Sequence, residues 1–203
     1  MSARRSGVHY ELQGLLFLVR NVWSARGIGG VPPQCENEIR LRGMQPRDMD
    51  ALRRLHRDFR AGRDLNAWRR TLYRARGNSL IVVADQHGTL VGFDMYYFRE
   101  HEHRHGVVHE AFVGVAPEHR SRGLATAMRR HAARHFATQG VRGISTQVHE
   151  DNQSSMRSAL SAGFVVAERP DDGQGAGSEP FLLMMDLTKL PNELPAGKAE
   201  GNS

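Results

Sequence analysis

The chain has 203 residues, 39% hydrophobic and 25% charged, which is one domain's worth of ordinary globular composition. Its formal charge is +6, carried almost wholly by arginine because Lys189 and Lys198 are the only lysines, and no helix-turn-helix, zinc or aromatic RNA motif accompanies it, so no nucleic-acid partner is expected. The single cysteine, Cys35, excludes an internal disulfide framework and agrees with a reducing compartment, so a cytoplasmic location is expected.

Residues 1–36 begin with MSARRSG and the apolar run LQGLLFLV. Arg20 interrupts the run, no small-x-small cleavage site follows, and the run is too short to cross a bilayer, so neither a secretory leader nor a membrane span is expected. The segment reads as a loosely ordered extension, ahead of a domain over residues 37–190 and a polar tail over 191–203.

ENEIRLRGM alternates at Ile39 and Leu41, as a strand does. QPRDMDALRRLHRDF predicts a helix, with Pro46 and Asp48 in its first turn and Leu52, Leu55 and Phe59 on one face. DLNAWRRTLYRARG predicts a second, with Leu65, Trp68 and Leu72 inward and Gly77 as its stop. Two β-branched runs flank Gln86, His87 and Gly88, which predicts a hairpin. HGVVHEAFVGVAP continues as a strand. A helix follows, with Leu124, Met128, Ala132 and Phe136 on one face and Gly140 at its end. GISTQV is a strand, Asn152 caps a short helix that stops at Gly163, and FVVAER and PFLLMMDL are the last strands. The order reads β-α-α-β-β-β-β-α-β-α-β-β, with the count of middle strands open.

APEHRSRGLATAM joins a strand to a helix at residues 116–128. A helix N-terminus offers unpaired N–H groups and a positive dipole end, where a phosphate binds readily. Gly123 and Ala125 keep that turn free of bulk, and Arg120 and Arg122 add charge suited to phosphate oxygens. The stretch is neither the nucleotide P-loop nor the dinucleotide fingerprint, since Gly-Lys-Ser/Thr and G-x-G-x-x-G are both absent.

VGVAPEHRSRGLA resembles the acyl-CoA motif of the GNAT superfamily of N-acyltransferases, with Arg120, Gly123 and Ala125 in its defining positions. VHEDNQSSMRSALSAGF resembles the second motif of that family at Asn152, Gly163 and Phe164, and VVADQHGTLVGF resembles its hairpin. Together the matches span about residues 38–189 in order. The resemblance implies an α/β fold with a central mixed, mostly antiparallel twisted sheet flanked by helices, in which a splayed strand pair holds acyl-CoA. Pantetheine would pair with the backbone of Phe112, Val113, Gly114 and Val115, and the pyrophosphate would lie on Arg120, Ser121, Arg122, Gly123, Leu124 and Ala125, with Asn152 and Ser155 completing the site. An amide near Val113 or Gly114 would polarise the thioester carbonyl. An amine would then attack directly, and it must first lose a proton.

Glu110 and His109 are the base candidates; alternation sends them to opposite faces, and the resemblance favours Glu110, against a solvated pair on an edge. The family's usual acid is a Tyr seven residues after the Asn, where this chain has Ala159, so Tyr96 or Tyr97 on the neighbouring strand would have to serve instead, Tyr96 being taken first. His101, His103 and His105 would share a face if extended, but no second ligand group accompanies them, so no metal is expected. Asp171, Asp172 and Glu179 would favour a cationic acceptor and the arginines of residues 46–76 an anionic one.

The resulting expectation is an N-acetyltransferase using acetyl-CoA as co-substrate and a small-molecule or peptide amine as acceptor. No membrane partner is expected, and a homodimer is compatible with the sequence. The alternative is a non-catalytic acyl-CoA-binding regulatory module.

Overall fold

The computed structural model describes residues 2–36, 38–168 and 180–190. Its strands are β1 (Gln34–Glu36), β2 (Ile39–Gly43), β3 (Ile81–Gln86), β4 (Thr89–Tyr97), β5 (Val107–Val115), β6 (Gly143–Val148), β7 (Val165–Glu168) and β8 (Phe181–Asp186). They form one sheet in the order β1-β2-β3-β4-β5-β6-β8-β7, antiparallel throughout except for the parallel β5/β6 pair. The helices are α1 (Ser2–Ser24), α2 (Met49–Phe59), α3 (Ala67–Leu80), α4 (Leu124–Thr138) and α5 (Gln153–Ala162). The middle run thus has three strands, β3 to β5. The loop holding Asp171, Asp172 and Glu179, and the tail from residue 191, lie outside the described residues.

Local chemistry accounts for most boundaries. His87 and Gly88 both take positive φ between the paired residues Gln86 and Thr89, which is the two-residue hairpin turn that matches strand twist. Leu124, Met128, Ala132 and Phe136 are all buried along α4. Asn66 caps α3 through its side chain, accepting from the Arg69 amide at 2.9 Å. Gly77 does not end that helix, which runs on to Leu80. A Cβ at Gly77 would lie 2.7 Å from Cε of Met44, so glycine serves close packing there rather than termination.

The expectation of a loosely ordered extension over residues 1–36 is corrected. Residues 2–24 form α1, and Ala25, Ile28 and Val31 are buried in the core. Asn21 is the clamp. Its Oδ1 accepts from the Phe98 amide at 2.6 Å, and its Nδ2 donates to the Phe98 and Phe17 carbonyls at 3.2 and 2.9 Å. Gly14 lets α1 meet α3, since a Cβ there would come within 2.0 Å of the Trp68 indole. The apolar-run reading looked for a leader or a membrane span and so overlooked a polar residue buried on the inner face of α1. Among the described residues, no helix is long and apolar enough to cross a membrane.

Asn21→Ala removes three hydrogen bonds and strands the buried Phe98 amide, while the Phe98 carbonyl keeps its bond from Arg20 Nε at 3.2 Å. It should lower unfolding stability by about 1–3 kcal/mol, measured by urea denaturation; an unchanged midpoint would show that α1 is not clamped there.

Candidate active site

The turn from β5 into α4 is built to leave amides bare. Pro117–His119 forms one 3₁₀ turn, and the Arg120 amide closes it on the Pro117 carbonyl. Ser121 and Gly123 then take left-handed φ values of 60° and 78°. The first bond into the helix is from the Ala127 amide to the Gly123 carbonyl at 2.9 Å. Among the described residues no protein acceptor meets the amides of residues 121–126. A Cβ on Gly123 would touch nothing within 4 Å, so the space above the turn is open. The Arg120 amide is thus withdrawn from the expected set, while its side chain anchors the lip by donating to the Val115 carbonyl at 3.0 Å. The Arg122 amide stays in the bare run, while its side chain lines a groove of about 1050 Å³ with Arg130 and Arg134.

Beside this turn the sheet opens. β5 pairs with β6 only from Val107 to Glu110, and beyond that point β6 offers no partner. Ala111 is an extra residue between the Met95–Phe112 and Tyr96–Glu110 pairs, a β-bulge that bends β5 where the strands part. The Ala116 amide bonds to Val91 in β4, so alternation turns the backbone of Val113 and Val115 toward the open side. The gap is a cleft of about 560 Å³ lined by Phe112, Val113, Gly114 and Val115 on one wall and Asn152, Ser155 and Ser158 on the other. Asn152 caps α5 by accepting from the Ser155 amide at 3.1 Å, so a second helix N-terminus borders the cleft. Gly114 admits the Phe59 ring, which a Cβ would approach to 2.4 Å, and Phe59, Phe93 and Phe112 form an aromatic wall. A further cleft of about 360 Å³ continues from the first through Phe112, Val113, Asn152 and Ser155 toward Tyr97, Arg99 and His149.

Under the floor lies a charged junction that the sequence reading missed. Arg129 of α4 is 1% exposed. It makes a bidentate pair with Glu110, Nε to Oε1 at 2.7 Å and Nη2 to Oε2 at 2.9 Å. Its Nη1 donates to the Ser155 carbonyl and the Ser158 hydroxyl, and Nη2 to the Ser155 hydroxyl. Thr146 of β6 donates to Glu110 Oε2 at 2.7 Å. The Arg129–Glu110 pair therefore ties α4, β5, β6 and α5 together. At helical spacing Arg129 has Ala125, Ala132 and Ala133 for neighbours, and that small apolar face was the available signal.

Both expected catalytic side chains have buried partners, Glu110 in this junction and Tyr96 beside it. Glu110 is buried with both oxygens engaged by Arg129 and Thr146, so it is not poised to take a proton. Tyr96 is fully buried, its hydroxyl donates to Asp94 at 2.5 Å, and its ring packs edge-on against Phe136. Burial and the charge of Asp94 push its phenol well above the ordinary value, which makes it a weaker acid. Asp94 itself is held well above the usual carboxylate range, by burial first and then by the nearby Glu110 charge. His109 and Glu110 do take opposite faces: His109 packs on Tyr97 and bonds Ser145 at 2.8 Å. Burial, then Arg99 and Arg69, push its imidazole down to about 3. Ala159 is fully buried in α5. His103–His105 forms a 3₁₀ turn rather than a strand, and among the described residues no three His, Cys, Asp or Glu gather to hold a metal.

Residues 49–164 match the family described as the acetyltransferase (GNAT) family. No curated protein matches by sequence. Among solved structures, a putative acetyltransferase from Salmonella typhimurium, yncA, determined with acetyl-CoA, is 18% identical at a TM-score of 0.63, covering 78% of this chain and 99% of its own. The diaminobutyrate acetyltransferase of Paenibacillus lautus, determined with L-2,4-diaminobutyric acid and coenzyme A, is 27% identical at 0.59, covering 75% and 97%. A spermidine N-acetyltransferase chimera of Vibrio cholerae and human-type sequences, SpeG with hSSAT, is 17% identical at 0.58, covering 75% and 98%.

Arg129→Met leaves the Glu110 carboxylate buried without its partner and should cost about 3–5 kcal/mol in urea unfolding, with part recovered in the Arg129→Met/Glu110→Gln double variant. Stability should also fall with acid. The buried imidazoles of His109 and His135 are depressed to about 3 and about 4, whereas unfolded imidazoles titrate near ~6.5. The unfolded chain therefore binds more protons between about pH 6.5 and 4, and the stability these groups contribute is full above that window and lost as pH falls through it. Denaturation midpoints at pH 8 and pH 5 check this, and His135→Gln should flatten the slope.

Proposed function

Because the chain belongs to the GNAT acetyltransferase family and is thereby an acyltransferase, we propose that it moves an acetyl group from acetyl-CoA to a primary amine by direct attack in a ternary complex. The observation that carries this reading is the run of bare amides over residues 121–126 at the mouth of the β5/β6 gap. Those amides and the α4 dipole suit a pyrophosphate, and the cleft beside them suits a pantetheine arm against Phe112 to Val115. The acceptor named for the Paenibacillus lautus structure, diaminobutyric acid, and the spermidine named for the chimera are both amines, which supports an amine acceptor here.

In this reading the thioester carbonyl lies by the Val113 amide, where the two clefts meet, and that amide stabilises the developing oxyanion. The amine enters from the smaller cleft. Its nitrogen bonds to the acetyl carbon, the carbon–sulfur bond breaks, and the thiolate leaves beside Ser155 and the N-terminus of α5 to be protonated by water. With Glu110 engaged by Arg129 and His109 a weak base, the ammonium proton passes to the exposed imidazole of His149 or to solvent at that end. Holding both reactants in one cleft supplies the rest of the acceleration.

The second reading, an acyl-CoA-binding module without turnover, draws support from Ala159 and from the engagement of Glu110. Amine-dependent thiol release from acetyl-CoA separates the two. Gly123→Glu places a carboxylate over the bare amides at a left-handed position and should weaken coenzyme A binding by calorimetry at least about tenfold, or 1.4 kcal/mol. Undiminished affinity would remove the cradle from the reading.

A further inference from the structure

The smaller cleft, which would receive the acceptor, has an unbalanced charge. Arg60 from the end of α2, Arg69 from α3 and Arg99 after β4 all line it. None has a carboxylate partner among the described residues. Arg60 lies over the Phe112 ring at 5.6 Å and Arg69 over the Tyr97 ring at 5.3 Å. Arg99 donates to the Gln147 side chain at 2.7 Å and to the Tyr97 hydroxyl at 3.5 Å. Elsewhere Arg42 is paired with Asp48 and Asp85, Arg53 and Arg57 with Asp64, and Arg129 with Glu110. Glu110, the one carboxylate among the described residues of this lining, is spent on Arg129 and Thr146. The His109 imidazole is held low first by burial and then by Arg99 and Arg69, with the Glu102 carboxylate 3.9 Å from its Nδ1.

Resting on the acetyl-transfer reading above, we propose that the acceptor is a small amine carrying at least one carboxylate, an amino acid in chemical class, with Arg69 and Arg99 receiving the carboxylate and Arg60 guarding the junction with the larger cleft. A guanidinium offers a planar fork of donors that matches a carboxylate, and aromatic faces beneath Arg60 and Arg69 hold the forks without neutralising them. A volume of about 360 Å³ suits one small molecule. The carboxylate end fixes the molecule at the arginines so that its amine faces the Val113 amide, with bond making and proton release as set out above. A polyamine, by contrast, would bring positive charge against three cations that have no carboxylate partner among the described residues.

The test uses pairs of amines that differ only in charge: β-alanine with its amide, glutamate with its diamide, and putrescine as the cationic control. Thiol release from acetyl-CoA should show kcat/KM at least about tenfold higher for the acid of each pair. Arg69→Gln and Arg99→Gln should erase that preference through KM while coenzyme A affinity by calorimetry is retained. Equal rates for acids and amides, or a preference for putrescine, would overturn the acceptor class and leave acetyl transfer standing. A binding arm covers the absence of turnover. Glutamate is titrated into the protein saturated with coenzyme A: binding that both variants lose supports the carboxylate site even where no thiol appears, in which case only the transfer reading fails. Absence of glutamate binding in the wild type sinks the proposal.

Discussion

The pair between Arg129 and Glu110 is the interaction on which the site's geometry depends. Both groups are almost wholly shielded from water, so each would be costly alone, and together they are satisfied by two short bonds and by the hydroxyls and carbonyl around them. The consequence is positional. α5 carries one wall of the cleft, and its Ser155 and Ser158 are attached to a side chain from α4, whose own N-terminus forms the cradle. Glu110 is also the last β5 residue in register with β6. The point where the strands part is therefore the point where the ion pair sits.

Bare amides and open strand edges are usually liabilities, since buried backbone groups seek partners. Here they face a cleft rather than the core, and two devices keep them so. Left-handed backbone at Ser121 and Gly123 turns the chain before helical bonding begins, and the bulge at Ala111 bends β5 away from pairing. The bulge also explains why strict alternation along β5 holds from His109 to Glu110 but shifts beyond it.

Much of this was legible from residue order because it rests on local rules. The Gln86–Thr89 turn, the buried stripe of α4, the Asn152 cap and the small residues at Gly123 and Ala125 each follow from neighbours in sequence. What was not legible depends on distant partners. Glu110 reads as a base until Arg129, nineteen positions on, is brought against it by the fold. Tyr96 reads as an acid until Asp94 and Phe136 enclose it. Arg122 shares its sequence neighbourhood with Arg120, yet the turn between them points the two into different grooves. Asn21 carries no sequence signal because its partner, the backbone of Phe98, lies just past the end of β4, 77 positions away.

The sheet order has one more implication. Within the sheet, the short parallel run of Val107 to Glu110 against Gly143 to Thr146 joins the β1–β5 half to the β6–β8 half. The sheet is thus two plates sharing a brief seam, braced from behind by Arg129 and by Arg130, which donates to the Ser161 carbonyl. Any molecule that bridges both lips lengthens that seam, so occupancy should knit the C-terminal plate to the remainder, and amide exchange in β6 and β8 becomes a gauge of how full the wedge is.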